Sequence, residues 1–168
     1  VADPVLAQLN RLIQSVADPL LSEILQDLVQ ISSEAQEGTW TPAIAFGGNS
    51  VGVTYGTAAG GYMLSTSALG SFAFITGTVI LTNEGTSTGA LTITGLPYAL
   101  AGLAGSWVPV NVHIENFTTS TGSPQGKVAP GTNVIQMYQT KTGTASVMDN
   151  TNTTNTSVII FSVYYRVS

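Results

Sequence analysis

The chain has 168 residues, enough for ~1 domain with a short appendage and a sizeable core. Only 8% of its residues are charged, the net charge is −5, and it has no cysteine and a single histidine. Without a basic patch or a thiolate, these features exclude nucleic-acid binding, attraction to anionic membranes, disulfide scaffolds and histidine- or cysteine-built metal sites.

The charge is unevenly placed. Residues 1–37 carry Asp3, Asp18, Glu23, Asp27, Glu34 and Glu37 against Arg11, whereas the remainder balances Glu84, Glu115 and Asp149 with Lys127, Lys141 and Arg166. Thr, Ser, Asn and Gly stand in for the missing charges, giving the neutral, hydroxyl-rich exterior common on extracellular β-structures. The N-terminus has no initiator Met, no basic region and no signal-type apolar run, and reads as a cut from a longer chain. No run of ~18 apolar residues is long enough to cross a bilayer as a helix.

The first thirty residues hold a repeat, VADPVLAQLNRLIQS and VADPLLSEILQDLVQ. Asp before Pro is a helix start: the carboxylate accepts first-turn N–H groups, and proline at the first helical position forfeits no donor. Helical starts are therefore expected at Asp3 and Asp18. Leu6, Leu9, Ile13 and Val16, and then Leu21, Ile24, Leu28, Ile31 and Ala35, recur at spacings of three and four, the a/d seam of a coiled coil. The 15-residue repeat is two heptads plus one, and its extra residue coincides with Pro19, so a break or bend is expected near Val16–Pro19. Leu at a and Ile at d favours three or four strands over a parallel dimer. Leu21, Ile24, Leu28 and Ile31 are thus the expected trimer contacts. The competing reading lays this helix across the chain's own β-domain as an amphipathic packing helix.

All 18 glycines follow Glu37, which sets the expected boundary between a helical stem, 1–37, and a β-domain, 38–168. Strands are expected at 39–46, 51–55, 62–67, 71–82, 89–95, 107–117, 133–140, 143–148 and 156–167, separated by Gly, Asn, Ser and Pro clusters such as Asn83-Glu84-Gly85 and Thr121-Gly122-Ser123-Pro124. Eight or nine strands without an intervening helix predict a mainly β, antiparallel, jelly-roll-like sandwich. In 107–117, Val108, Val110, Val112 and Ile114 alternate with Asn111, His113 and Glu115. The last strand instead has apolar residues on both faces, Ile159, Phe161, Val163 and Tyr165 opposing Val158, Ile160 and Tyr164. Strand 71–82 behaves similarly, with Phe72 and Phe74 opposing Ile75, Val79 and Leu81. Two such strands call for a second buried surface, which a subunit interface would supply.

No catalytic constellation emerges. Gly48-Asn49-Ser50-Val51-Gly52 matches a nucleophile pattern that needs a following helix, but a strand follows, so a β-turn is expected. His113 has only Asn111 and Glu115 beside it on its strand face. Glu84, Glu115 and Asp149 are too scattered to mark an acid pair within one chain, although carboxylates of different subunits could meet. Three N-glycosylation sequons, at Asn116, Asn152 and Asn155, are given no role in a Thr/Asn-rich chain. Aromatic rings pair an apolar face with a polar edge and suit sugars; Tyr98 and Trp107, beside the Gly-rich 99–106 segment, are the surface candidates, while Trp40 and Tyr138 read as core. Tyr98, Trp107 and His113 are the candidate ligand contacts, with no catalytic residue, metal or cofactor.

Gly38-Thr39-Trp40-Thr41-Pro42, Gly77-Thr78-Val79-Ile80-Leu81-Thr82, Gly85-Thr86-Ser87-Thr88-Gly89 and Ile93-Thr94-Gly95-Leu96-Pro97 together resemble the C-terminal domains of bacteriophage tail fibres and tailspikes. The resemblance covers residues 38–97. It implies a homotrimeric β-head on a trimeric stem at the distal end of an adhesin, placed on the virion outside the cell and joined to upstream tail components. The implied role is non-enzymatic binding of a host-surface saccharide or protein, without membrane insertion. Two alternatives stay open: a trimerisation and folding cap for a larger spike, and a glycan-cleaving enzyme with an intersubunit site.

Overall fold

The structure is a computed structural model that describes residues 35–67, 70–102, 105–118 and 122–167, together with Gln8, Arg11, Pro19, Leu21, Glu23 and Ile24. Those six isolated positions have helical backbone. Leu21 and Ile24 are exposed, whereas Leu28, Ile31 and the expected break at residues 16–18 lie outside the described residues.

Ten strands follow: β1 (Ala35–Trp40), β2 (Ala43–Phe46), β3 (Val53–Ser67), β4 (Gly70–Glu84), β5 (Leu91–Thr94), β6 (Val108–Glu115), β7 (Ser123–Val128), β8 (Ile135–Lys141), β9 (Thr144–Val147) and β10 (Val158–Arg166). Every pairing is antiparallel, in the order β1-β3-β4-β10-β6-β7-β8-β5-β2, with β9 added beside β8. The mainly β, antiparallel expectation holds, and the sheet curls into a half-barrel. β6 is the strand that turns the corner: Val108–Val110 pair with β7, while Asn111–Glu115 pair with β10.

One core fills the curl. Ile75, Val79, Leu81, Ile159 and Phe161 from the β4/β10 half meet Ile44, Leu91, Ile93, Ile135 and Met137 from the β2/β5/β8 half, all buried. Alternation decides which residues turn inward, because side chains along a strand point to opposite faces. β6 follows the expected pattern, with Val110 buried and Asn111, His113 and Glu115 exposed.

Four expectations need correction. β1 starts at Ala35, so a strand occupies the last three residues assigned to the stem, and Ala35 belongs to a sheet rather than a helical seam. The expected strand 39–46 is two, because Thr41-Pro42 interrupts it and proline cannot donate to a ladder. The expected strands 51–55 and 62–67 merge into the single 15-residue β3, which starts at Val53 after a turn, bulges near Tyr55 and continues through Gly60-Gly61. Gly60 marks a close approach: the indole of Trp40 lies over it and leaves no room for a Cβ. Finally, β7 sits where a loop was expected. Its Pro124 pairs with Gln139 of β8, but β6 reaches only Gly126–Val128, so the proline faces an unpaired edge.

Candidate functional site

β7 and its neighbours build a cleft on the outer face of the sheet. Gly126 points inward, where a Cβ would press on Ile135, Val110 and Val112, so Gln125 and Lys127 on either side point outward. Lys127 is registered with Pro109 of β6 and Gln136 of β8, and Gln125 with Tyr138. Trp107 stands at the entry to β6. These residues enclose about 330 Å³ of open cleft, lined by Trp107, Pro109, Gln125, Lys127, Tyr138 and Ala145.

Lys127 is the centre of it. Its Nζ lies 3.9 Å from the centroid of the Trp107 ring and 4.1 Å from that of Tyr138. An ammonium between two aromatic faces is attracted by both ring quadrupoles, about 0.5–1 kcal/mol each where exposed. The sole ion pair among the described residues is elsewhere, so no described carboxylate neutralises Lys127. The Tyr138 hydroxyl donates to Gln136 Oε1 at 2.8 Å, which fixes the ring's tilt. A second cavity of about 210 Å³, lined by Leu91, Thr92, Gln136 and Val147, lies against the same tyrosine.

The structure disperses the three candidate contacts read from the sequence. Trp107 is 43% exposed and belongs to the cleft. Tyr98 packs edge-on against Tyr62, with centroids 5.3 Å apart, and its carbonyl accepts the Tyr165 hydroxyl at 2.7 Å. Partial burial and the neighbouring Tyr62 phenol hold the Tyr98 hydroxyl above its ordinary range. His113 lines a different groove of about 300 Å³ with Thr76, Thr78, Asn111, Ile160 and Ser162. Its Nε2 lies 3.0 Å from Glu115 Oε1, both side chains well exposed. Tyr138, read as core, lines the cleft instead, whereas Trp40 does pack inward, edge-on to Phe161.

The remaining polar groups have structural work. Gly48-Asn49 forms a tight turn closed by reciprocal bonds between Phe46 and Asn49, and β3 follows it. Glu84 accepts the Thr153 hydroxyl, and Asp149 caps a 3-10 turn at Asn150–Asn152. The head's three carboxylates therefore sit with three separate partners. No cluster of acids or histidine suited to a metal occurs among the described residues.

The chain is similar in fold to part of a phage tailspike. The Dettilon tailspike protein superposes with a TM-score of 0.63 at 18% sequence identity, over 80% of this chain and 24% of that one. The chain thus spans about a quarter of that protein's length. No protein-family model and no curated protein sequence matches.

The cleft was hard to find in sequence because Trp107, Lys127 and Tyr138 come from three segments. The only local signal is Gln125-Gly126-Lys127-Val128, whose alternation places a lysine on an outward position.

Proposed function

We propose that the chain is a fragment of a phage receptor-binding protein, a component of the virion's tail that adsorbs non-covalently to a host-surface saccharide. The observation that carries this reading is Lys127 held between Trp107 and Tyr138 in an open cleft. Two aromatic planes with a fixed donor between them offer what a sugar presents: apolar C–H faces and hydroxyl edges. The likeness in fold to a tailspike supports the setting.

In this proposal residues 1–34 form a helical stem, with Leu21, Ile24, Leu28 and Ile31 at its seam, and the β-domain is a jelly-roll-like head of a homotrimer. Three modest sites on one head then act together, since tethered sites engage at high effective concentration. No bond in the receptor is cleaved. The test is binding of the full chain to host-type polysaccharides and intact bacteria, with Trp107→Ala beside it. Binding lost in the variant, without release of reducing ends, supports the reading; wild-type chain that binds no bacterial surface overturns it.

A second reading, a trimerisation and folding cap for a larger spike, draws on the other outer face. Met63, Phe74 and Tyr164 form one cross-strand row over β3, β4 and β10, each more than 40% exposed, with Ile160 two rungs away. Phe72 stacks on Tyr164 beside them, 5.7 Å between centroids and 10° between planes. Such a row is suited to cover by another copy. Trimers that form without any saccharide binding favour the cap.

A further inference from the structure

We infer that the cleft selects an anionic saccharide, with Lys127 as the residue that reads the negative charge. The inference rests on the saccharide-binding reading above and adds the class of sugar.

The argument begins with the polar groups the cleft offers. The Lys127 ammonium supplies three N–H donors and no acceptor, the Trp107 indole supplies a donor only, and Gln125 supplies an amide. The Tyr138 hydroxyl gives its proton to Gln136 Oε1, so toward the cleft its oxygen serves as an acceptor. Among the described residues, no carboxylate lines the cleft. A neutral sugar presents hydroxyls that need acceptors as much as donors, and the side-chain acceptors among the described lining residues are the Gln125 carbonyl and the Tyr138 hydroxyl oxygen, fewer than the donors. A ligand rich in acceptors and negatively charged matches a donor-rich, uncompensated positive site.

Lys127 is also unlike the head's other two cations. Lys141 is exposed at the end of β8, and the Arg166 guanidinium lies beside Gly70 on the other half of the sheet. A lysine normally keeps its ammonium in water at the end of a mobile stem. At residue 127 the ammonium lies within about 4 Å of two ring centroids, contacts that restrain it and displace part of its hydration before any ligand arrives. A preorganised charge loses less freedom on binding than a mobile one. A second cavity that shares Tyr138 gives room for an adjoining sugar unit, which makes an oligosaccharide the ligand to test.

The test uses the full chain on an array of uronic-acid-, sialic-acid- and phosphate-bearing bacterial polysaccharides. Each is printed beside its carboxyl-reduced or dephosphorylated form. Binding is expected to fall by about 10-fold or more when the charge is removed from the sugar, and by a similar factor in Lys127→Met. Lys127→Arg is expected to retain most of it. The reduced and dephosphorylated arms tell carboxylate from phosphate ligands. Where Lys127→Met melts early, the wild-type comparison of charged and neutralised sugars carries the test. Equal binding of charged and neutralised sugars, lost in Trp107→Ala, overturns the charge selection while leaving saccharide binding standing. Absence of binding to every saccharide overturns both.

Discussion

Trp40 donates its indole N–H to the backbone carbonyl of Thr76 at 3.1 Å, reaching from β1 across β3 to β4. The bond exists because residue 60, lying between them, is glycine: a methyl group there would overlap the indole and the same carbonyl. Phe161 uses the neighbouring glycine, Gly77, in the same way, and the two rings meet edge-on 6.0 Å apart.

Gly60→Ala is therefore expected to destabilise the head by about 1–3 kcal/mol, the usual range for forcing extra volume into a packed site. Gly77→Ala is expected to act alike through Phe161. Chemical denaturation measures both, and a loss below about 0.5 kcal/mol for either would show that the rings can step aside.

Tyr165 gives the fold an alkaline limit. Burial pushes its phenol well above the ordinary value of 10, so the folded state holds the proton more tightly than the unfolded chain does. That contribution is fully present below pH 10 and fades as the pH climbs from there toward the folded-state value. Tyr165→Phe is expected to cost about 1 kcal/mol at neutral pH through the lost bond to Tyr98. It is also expected to flatten the fall in stability above pH 10. Melting curves from neutral pH upward decide it; parallel curves for the two proteins would rule the mechanism out.

Asp149 holds the connection into β10. Its carboxylate accepts from the backbone N–H of Thr151 at 2.9 Å and from the Thr151 hydroxyl at 2.6 Å, while its own N–H donates to Asn152 Oδ1 at 2.9 Å. Asp149→Ala is expected to lower stability by about 1 kcal/mol, and Asp149→Asn by much less, because asparagine caps nearly as well. Equal effects of the two substitutions in calorimetry would point to charge rather than capping.

In the proposed trimer, the exposed outer row of Met63, Phe74 and Tyr164 would make assembly sensitive to a single charge. Phe74→Glu is expected to raise the concentration at which the trimer dissociates by about 10-fold or more, since an unpaired carboxylate buried at an interface is costly. Light scattering over a dilution series reads this directly. A wild-type chain that is monomeric throughout removes the proposed assembly.

Much of the half-barrel was legible in the sequence, and particular residues show why. Val108, Val110, Val112 and Ile114 alternate with polar residues, and period-two alternation survives any choice of partner strand. β4 and β10 revealed themselves by apolar residues on both faces, which the structure resolves into a buried set and an exposed row. Apart from Ala35, whose heptad spacing belongs to a strand, the failures share one cause, that glycine and proline carry no information about what lies opposite them. Gly60-Gly61 falls in the gap between two expected strands because nothing local shows that Trp40 lies on it, and Pro124 falls in an expected loop because nothing local shows that its edge is unpaired. The cleft failed for a related reason. Trp107, Lys127 and Tyr138 are neighbours only through the register of β6, β7 and β8, and register is a property of pairing that no one segment contains.

The corner made by β6 has a mechanical meaning. In the proposed receptor-binding reading, a pull on a ligand stacked on Trp107 and directed along β6 runs from Val108 toward Glu115. There five consecutive positions, Asn111 to Glu115, are laddered to β10. Force along a strand loads those rungs in shear, all together, instead of peeling them one at a time. An attachment point built this way would yield at its ligand before it yielded in its own backbone.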